Sequence, residues 1–181
     1  MNPWFLDIDD LIEEGFIFIS NPDELGYTNQ NKTHFDFDVA ANLTKKLGHL
    51  LLEGWSKQSE KRKLEFNEWI SKNSWVEDYA TFVVIREEFN MLPWWKWPKE
   101  FRIKNNKFLK SWINTKFEKI LIKKLIQWHL DNQWNGIKKF AKSYNVKLIG
   151  DLPFYVSRDS ADVWSNKSLF SIFKNGDLIF Q

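Results

Sequence analysis

The chain has 181 residues, 43% of them hydrophobic, and its 26 basic and 24 acidic side chains nearly cancel to a net charge of +2. That is enough apolar material for one ordinary globular core, or for one large piece of something bigger, and too small a charge imbalance for a polyanion-binding face. The absence of cysteine excludes disulfides, thiolate metal sites and cysteine nucleophiles.

The opening MNPWFLDIDD has acids where a secretory signal needs a basic region, and no apolar run is long enough to span a bilayer. A cytoplasmic protein without a membrane partner is expected. LDIDDLIEEG carries Leu6, Ile8, Leu11 and Ile12 on a helical spacing, acids early and Gly15 as a stop, which predicts a short helix. FIFISNPDELGYTNQNKTHF predicts an extended piece followed by a polar loop. From Asp38, apolar Val39, Ala40, Leu43, Leu47, Leu50 and Leu51 predict an amphipathic helix running to Gly54, with Lys45 and Lys46 on its wet side. A further helix is predicted from about Glu60 to Ile70 on Leu64, Phe66, Trp69 and Ile70.

In NSWVEDYATFVVIREEF, Ser74 and Glu77 have the spacing of a capping box, which predicts a helix from Trp75 to about Phe89. LPWWKWPKEF is an aromatic knot in which Pro93 and Pro98 bar regular helix, a natural buttress where helices meet. From about Phe108 to Tyr144 the apolar positions keep to one face, giving one long helix or two in series; Gly136 costs about 1 kcal/mol against Ala without having to break it. Then the period changes. VKLIGD is short and β-branched after a helix, and predicts a strand. DSADVW opens a short helix with Ser160 as N-cap, and LFSIF and DLIF flank the hairpin-like turn KNGD.

The histidines, His34, His49 and His129, are far apart in sequence and form no H-x-x-x-H pair, so packing or surface positions are expected of them and no metal site. No reader motif accompanies the charge, so nucleic acid is not expected as a partner. Aromatic residues make up 17% of the chain, with 11 Trp against 7 Gly. Flat rings fill cores and also stack on the apolar faces of sugars, and for any single Trp the core is the default.

The carboxylates of IGDLPFYVSRDSADVW concentrate the functional interest. A carboxylate at the C-terminal end of a parallel strand, here Asp151, stands where an α/β barrel places binding and catalytic groups. Asp159 and Asp162, spaced i, i+3, resemble the carboxyl pair of a retaining glycosidase, about 5 to 5.5 Å apart. Acids at a helix start are also the ordinary response to its positive end, and two groups from one turn do not easily flank a sugar bond, so the helix-start reading is preferred.

At KLIGDLPFYVSRDSADVW the sequence resembles the amylomaltases, or disproportionating enzymes, which are 4-alpha-glucanotransferases related to the α-amylase superfamily. NPWFLDIDDLIEEG resembles the family's N-P-L-L opening, WVEDYATFVVIREEF with PWWKWP resembles its W-(V/L)-(E/D)-D-Y-A-L-F helix and P-W-x-x-W-P knot, and QWHLDNQW resembles a further motif in the same order. The resemblance runs from Asn2 to about Phe180. It implies an α/β fold, a (β/α)8 barrel with helical insertions, in which residues 1–144 are mainly helical insertion and residues 145–181 are a barrel strand with its following loop and short helix. It also implies retaining transfer between α-1,4-glucans, with maltooligosaccharides as partners and no metal or organic cofactor.

In the family an Asp nucleophile and a Glu acid/base do the chemistry. No residue of this chain matches those groups or the third carboxylate, so no catalytic residue is named. Asp151 matches the strand end that lines the donor sugar site, with Pro153 and Trp164 in the same motif, and these three are the expected substrate-binding residues. The chain begins at the N-P opening and stops at Gln181, short of the strands that carry the reacting groups. A piece of the enzyme without turnover of its own, poorly soluble or partly molten, is therefore expected. The other reading is a non-catalytic helical remnant that binds glucan or a protein partner.

Overall fold

Helices begin in the computed structural model where a short polar side chain precedes an apolar period. The structure describes residues 1–19, 25, 36–152, 154–173 and 175–179. Asp7 accepts from the backbone N–H groups of Asp9 and Asp10 to start α1 (Ile8–Glu13), and Asp36 does the same for Asp38 and Val39 at α2 (Phe37–Ser56). α3 (Glu60–Lys72), α4 (Trp75–Glu88) and α5 (Lys99–Arg102) follow. Asn105 caps α6 (Asn106–Thr115), and α7 (Phe117–Ser143) and α8 (Ala161–Ser165) complete the series.

Four helix ends close alike. After α1, α4, α5 and α7 the residue in the left-handed region is Gly15, Asn90, Lys104 or Asn145, with φ of 75°, 52°, 55° and 57°. The next N–H in each case reaches back to the last turn, as in Phe16 to Leu11 at 2.8 Å and Val146 to Ala141 at 2.9 Å. This closure satisfies carbonyls that the helix leaves open.

The chain divides into two compact units, Met1–Ser71 with Ile122–Leu148, and Lys72–Leu121 with Ile149–Gln181. In the first, α2 packs at close range because it carries glycine. A Cβ on Gly54 would stand 1.9 Å from the Phe16 carbonyl oxygen, and one on Gly48 would stand 2.6 Å from Ile122 Cγ2. The motif QWHLDNQW is spent on this unit. Gln127 bonds Met1 through both ends of its amide at 2.6 and 2.9 Å, Asp131 accepts from Trp69 Nε1 at 2.9 Å, and Gln133 holds Asp7 and Asp10. His129, 2% exposed, packs edge-on to Phe16 at 4.3 Å and against Trp128 at 4.8 Å.

The second unit is an aromatic core. Phe82 and Ile85 of α4, Trp94 and Trp97 of the knot, Phe101 and Leu109 meet Val163 and Trp164 of α8. The knot is a 3-10 turn over Trp94–Lys96, as its flanking prolines require. The three buried indoles of this core donate to carbonyls: Trp94 to Arg158 at 2.6 Å, Trp97 to Leu92 at 2.8 Å, Trp164 to Phe101 at 2.8 Å.

Of the two expected forms of residues 108–144 the structure takes the second: α6 and α7 are two helices in series, parted at Lys116, and Gly136 lies within α7. Two other expectations meet the structure differently. Ser74 makes no side-chain capping bond, because at φ −55° and ψ −26° it is itself helical and its hydroxyl is not presented to the first turn. No strand forms among the described residues: 146–152 have no ladder partner and lie exposed, because a short apolar run becomes a strand only beside another strand. The turn near the end is hairpin-like as expected, with Ile172 bridged antiparallel to Leu178 and Phe173 N–H bonded to Asp177 at 2.8 Å. The polar loop expected after Ile19 lies outside the described residues apart from Leu25, and so does His34.

Candidate functional site

The stretch from Ile149 to Trp164 lies within the second unit and splits at Arg158. From Arg158 onward the chain is anchored, although Arg158 Nε is buried without a hydrogen-bond partner. Asp159 Oδ2 pairs with Arg86 of α4 at 2.9 Å, and its Oδ1 accepts from the Trp94 backbone N–H at 3.2 Å. The Arg158 guanidinium stacks 4.0 Å from the Trp95 ring centroid and donates to the Gly176 carbonyl. Gly176 must be glycine there: its φ is 94°, and a Cβ would stand 2.6 Å from Trp95 Cβ and 2.8 Å from the Trp94 ring. Ser160 accepts from Val163 N–H at 3.2 Å and starts α8, which sends Trp164 into the core at 0% exposure.

Before Arg158 the chain is bare. Ile149 is 97% exposed, Phe154 91% and Tyr155 95%, and Leu152 and Asp151 are exposed as well. Pro153 lies outside the described residues. Of the three expected binding residues, then, Asp151 stands in solvent and Trp164 fills the core.

Asp159 and Asp162 do not act as a carboxyl pair. Asp162 is exposed on the first turn of α8, where an acid suits the positive helix end, whereas Asp159 precedes the cap and is consumed by Arg86 and Trp94. Sequence reasoning missed Arg86 and Arg158, and also Lys104 and Lys167. Lys104 pairs with Asp78 at 2.6 Å, and Lys167 lies over Trp94 and Trp164 at 5.0 and 5.8 Å from the ring centroids. Burial, with the Lys104 charge beside it, pushes the Lys167 amine down to about 8. Except for Lys167 over Trp164, three residues away, these partners are remote in sequence and no local signal announces them.

His129 is a packing histidine, as expected. Burial and the Arg62 charge push it down to about 3, which keeps it neutral. Its Nε2 is buried without a hydrogen-bond partner. Among the described residues no helix is long and apolar enough to cross a membrane.

Comparison with known proteins places this geometry. The family model for 4-alpha-glucanotransferase matches residues 1–176. The chain is similar to the 4-alpha-glucanotransferase of Clostridium butyricum, 27% identical over 96% of this chain and 35% of the relative. It is similar also to that of Synechocystis sp., 30% identical over 95% of this chain and 34% of the relative. An amylomaltase from Streptococcus agalactiae solved in complex with acarbose superposes with a TM-score of 0.87 at 25% identity, covering 97% of this chain and 35% of that one. The chain thus spans about a third of the length of the relatives it matches. Over that third the match is continuous, and the chain belongs to the 4-alpha-glucanotransferase family.

Proposed function

We propose that these 181 residues are the part of a 4-alpha-glucanotransferase that builds one wall of its donor-sugar site, and that the reacting carboxylates are supplied by polypeptide outside them. The family match over residues 1–176 carries this reading. In the proposed reaction a carboxylate attacks the anomeric carbon of an α-1,4-glucan while an acid protonates the departing 4-oxygen. The 4-hydroxyl of a second glucan then displaces the carboxylate and gives its proton to the former acid, restoring both groups with retained configuration. No cofactor enters.

In this reading residues 1–144 are a helical region beside a (β/α)8 barrel, and residues 145–181 contribute one barrel strand and its loop. Asp151 hydrogen-bonds hydroxyls of the donor sugar, Pro153 is a further residue of that binding motif, and Trp164 braces the loop from the core. Two observations support placing the chemistry elsewhere: Asp159 already has two partners, and Asp162 lies on the same short turn as the cap. The bare apolar run around Ile149 supports a strand whose neighbours belong to the rest of the barrel.

The test is incubation with maltotriose. The chain alone is expected to release no glucose and build no longer maltooligosaccharide. The chain joined to the remaining two-thirds of the Synechocystis relative is expected to make both, and Asp151→Ala in that chimera is expected to lower kcat/KM. Turnover by the purified chain alone overturns the placement of the carboxylates.

A further inference from the structure

Two ammonium groups share one indole in the second unit. Lys104 Nζ lies 5.3 Å from the Trp164 ring centroid and Lys167 Nζ lies 5.8 Å from it, while Lys167 also sits 5.0 Å from the Trp94 ring. The carboxylate of this corner, Asp78 of α4, is held by Lys104 at 2.6 Å. Lys167 is left with a neutral partner, the Trp164 carbonyl, to which it donates at 2.5 Å. Its side chain is half-buried, so it is partly stripped of water yet reachable from solvent.

A cation in this position is opposed first by lost hydration and then by the Lys104 charge, which together outweigh the pull of Asp78 and of the two ring faces. We propose that Lys167 is an acylation site of this chain, its amine accepting the acyl group of a small acyl phosphate. The neutral amine attacks the carbonyl carbon, a C–N bond forms, the C–O bond to phosphate breaks, and phosphate leaves with the electron pair. The amine proton passes to solvent and no oxidation or reduction occurs. The half-buried position admits a small donor, and Lys104 beside it favours an anionic one. The product amide is uncharged, so acylation removes the repulsion with Lys104. This site is independent of the proposed glucan transfer.

With its amine at about 8 against an ordinary 10.5, Lys167 holds about 300-fold more unprotonated amine near neutral pH than an ordinary lysine. A less basic amine is also a weaker nucleophile, which leaves a rate advantage on the order of tenfold by analogy with thiols. The experiment treats the native chain with acetyl phosphate near neutral pH and follows each lysine by peptide mass spectrometry, with the near-ultraviolet dichroism of the buried indoles confirming the fold. Lys167 is expected to be acetylated roughly tenfold faster than the exposed Lys61 and Lys139. Because burial is the larger cause, Lys104→Gln is expected to lower that advantage in part, and guanidinium to remove all of it. Equal rates in the native chain, an advantage that survives unfolding, or one indifferent to Lys104→Gln overturns the proposal.

Discussion

The two halves of IGDLPFYVSRDSADVW have opposite fates, and the more apolar half is the one left bare. Residues 158–164 are fastened by an ion pair to α4, a stacked guanidinium, a helix cap and a buried indole. Residues 149–156 carry Ile149, Leu152, Phe154 and Tyr155 and expose each of them by 79% or more. Hydrophobicity therefore does not decide burial by itself; a surface to be buried against does. The anchored half finds one in the knot at Trp94–Lys96, within its own unit. The bare half has no counterpart among the described residues.

The largest test of that difference is truncation on each side. Trp164→Ala removes a fully buried indole and strands the Phe101 carbonyl, so urea denaturation is expected to show a loss of about 3–5 kcal/mol. Tyr155→Ala is expected to stay within about 0.5 kcal/mol of the parent. Comparable losses would break the comparison. Gly176→Ala asks whether the hairpin is part of the anchor. Its Cβ meets two tryptophans on a left-handed backbone, and about 2–3 kcal/mol of destabilisation is expected, read from the shift in denaturation midpoint.

Acid sharpens the comparison by acting on the unit that contains neither half. The neutral form of His129 is favoured in the fold, where it titrates at about 3, against an ordinary value near 6.5. The folded value is depressed, so the proton binds more tightly to the unfolded chain. Stability is full above about pH 6.5 and falls as pH drops from there toward 3, by about 2 kcal/mol at about pH 5. His129→Leu is expected to flatten that acid limb, and a variant with the parental slope would remove His129 as its cause. On the anchored side, Arg86→Met leaves the Asp159 carboxylate at 19% exposure with its Trp94 bond alone, which is expected to cost about 1–2 kcal/mol. A double-mutant cycle with Asp159→Asn measures the coupling.

Local rules made the helices legible. Gly15 and Ser160 read directly as a stop and a cap because capping is decided within a few residues, and the knot followed from where its prolines stand. Ser74 misled because spacing states that a capping bond is possible, not that the residue leaves the helix to make it. The strand at 146–151 misled for another reason: β structure is a property of at least two segments, and apolar alternation in one describes only half of it. At the candidate site the motif was legible as a resemblance. The Arg86–Asp159 pair and the approach of Lys104 to Trp164 were not, since each joins residues far apart in the chain.

The smallest effect on stability comes from the bare half, and it separates exposure from disorder. Ile149→Ser, Leu152→Ser, Phe154→Ser and Tyr155→Ser combined remove an exposed apolar run without opening a cavity, because almost none of that area is buried to begin with. The melting curve of the combined variant is expected to match the parent within about 0.5 kcal/mol. Fluorescence of a dye that binds exposed apolar surface is expected to fall several-fold, and solubility to rise. If instead the dye signal persists while the melt broadens, the apolar surface belongs to a loosened core in the parent chain, and the contrast between the two halves is one of packing order rather than of position. A lost dye signal with an unchanged melt fixes the exposed surface on residues 149–155, where the proposed barrel would have to cover it.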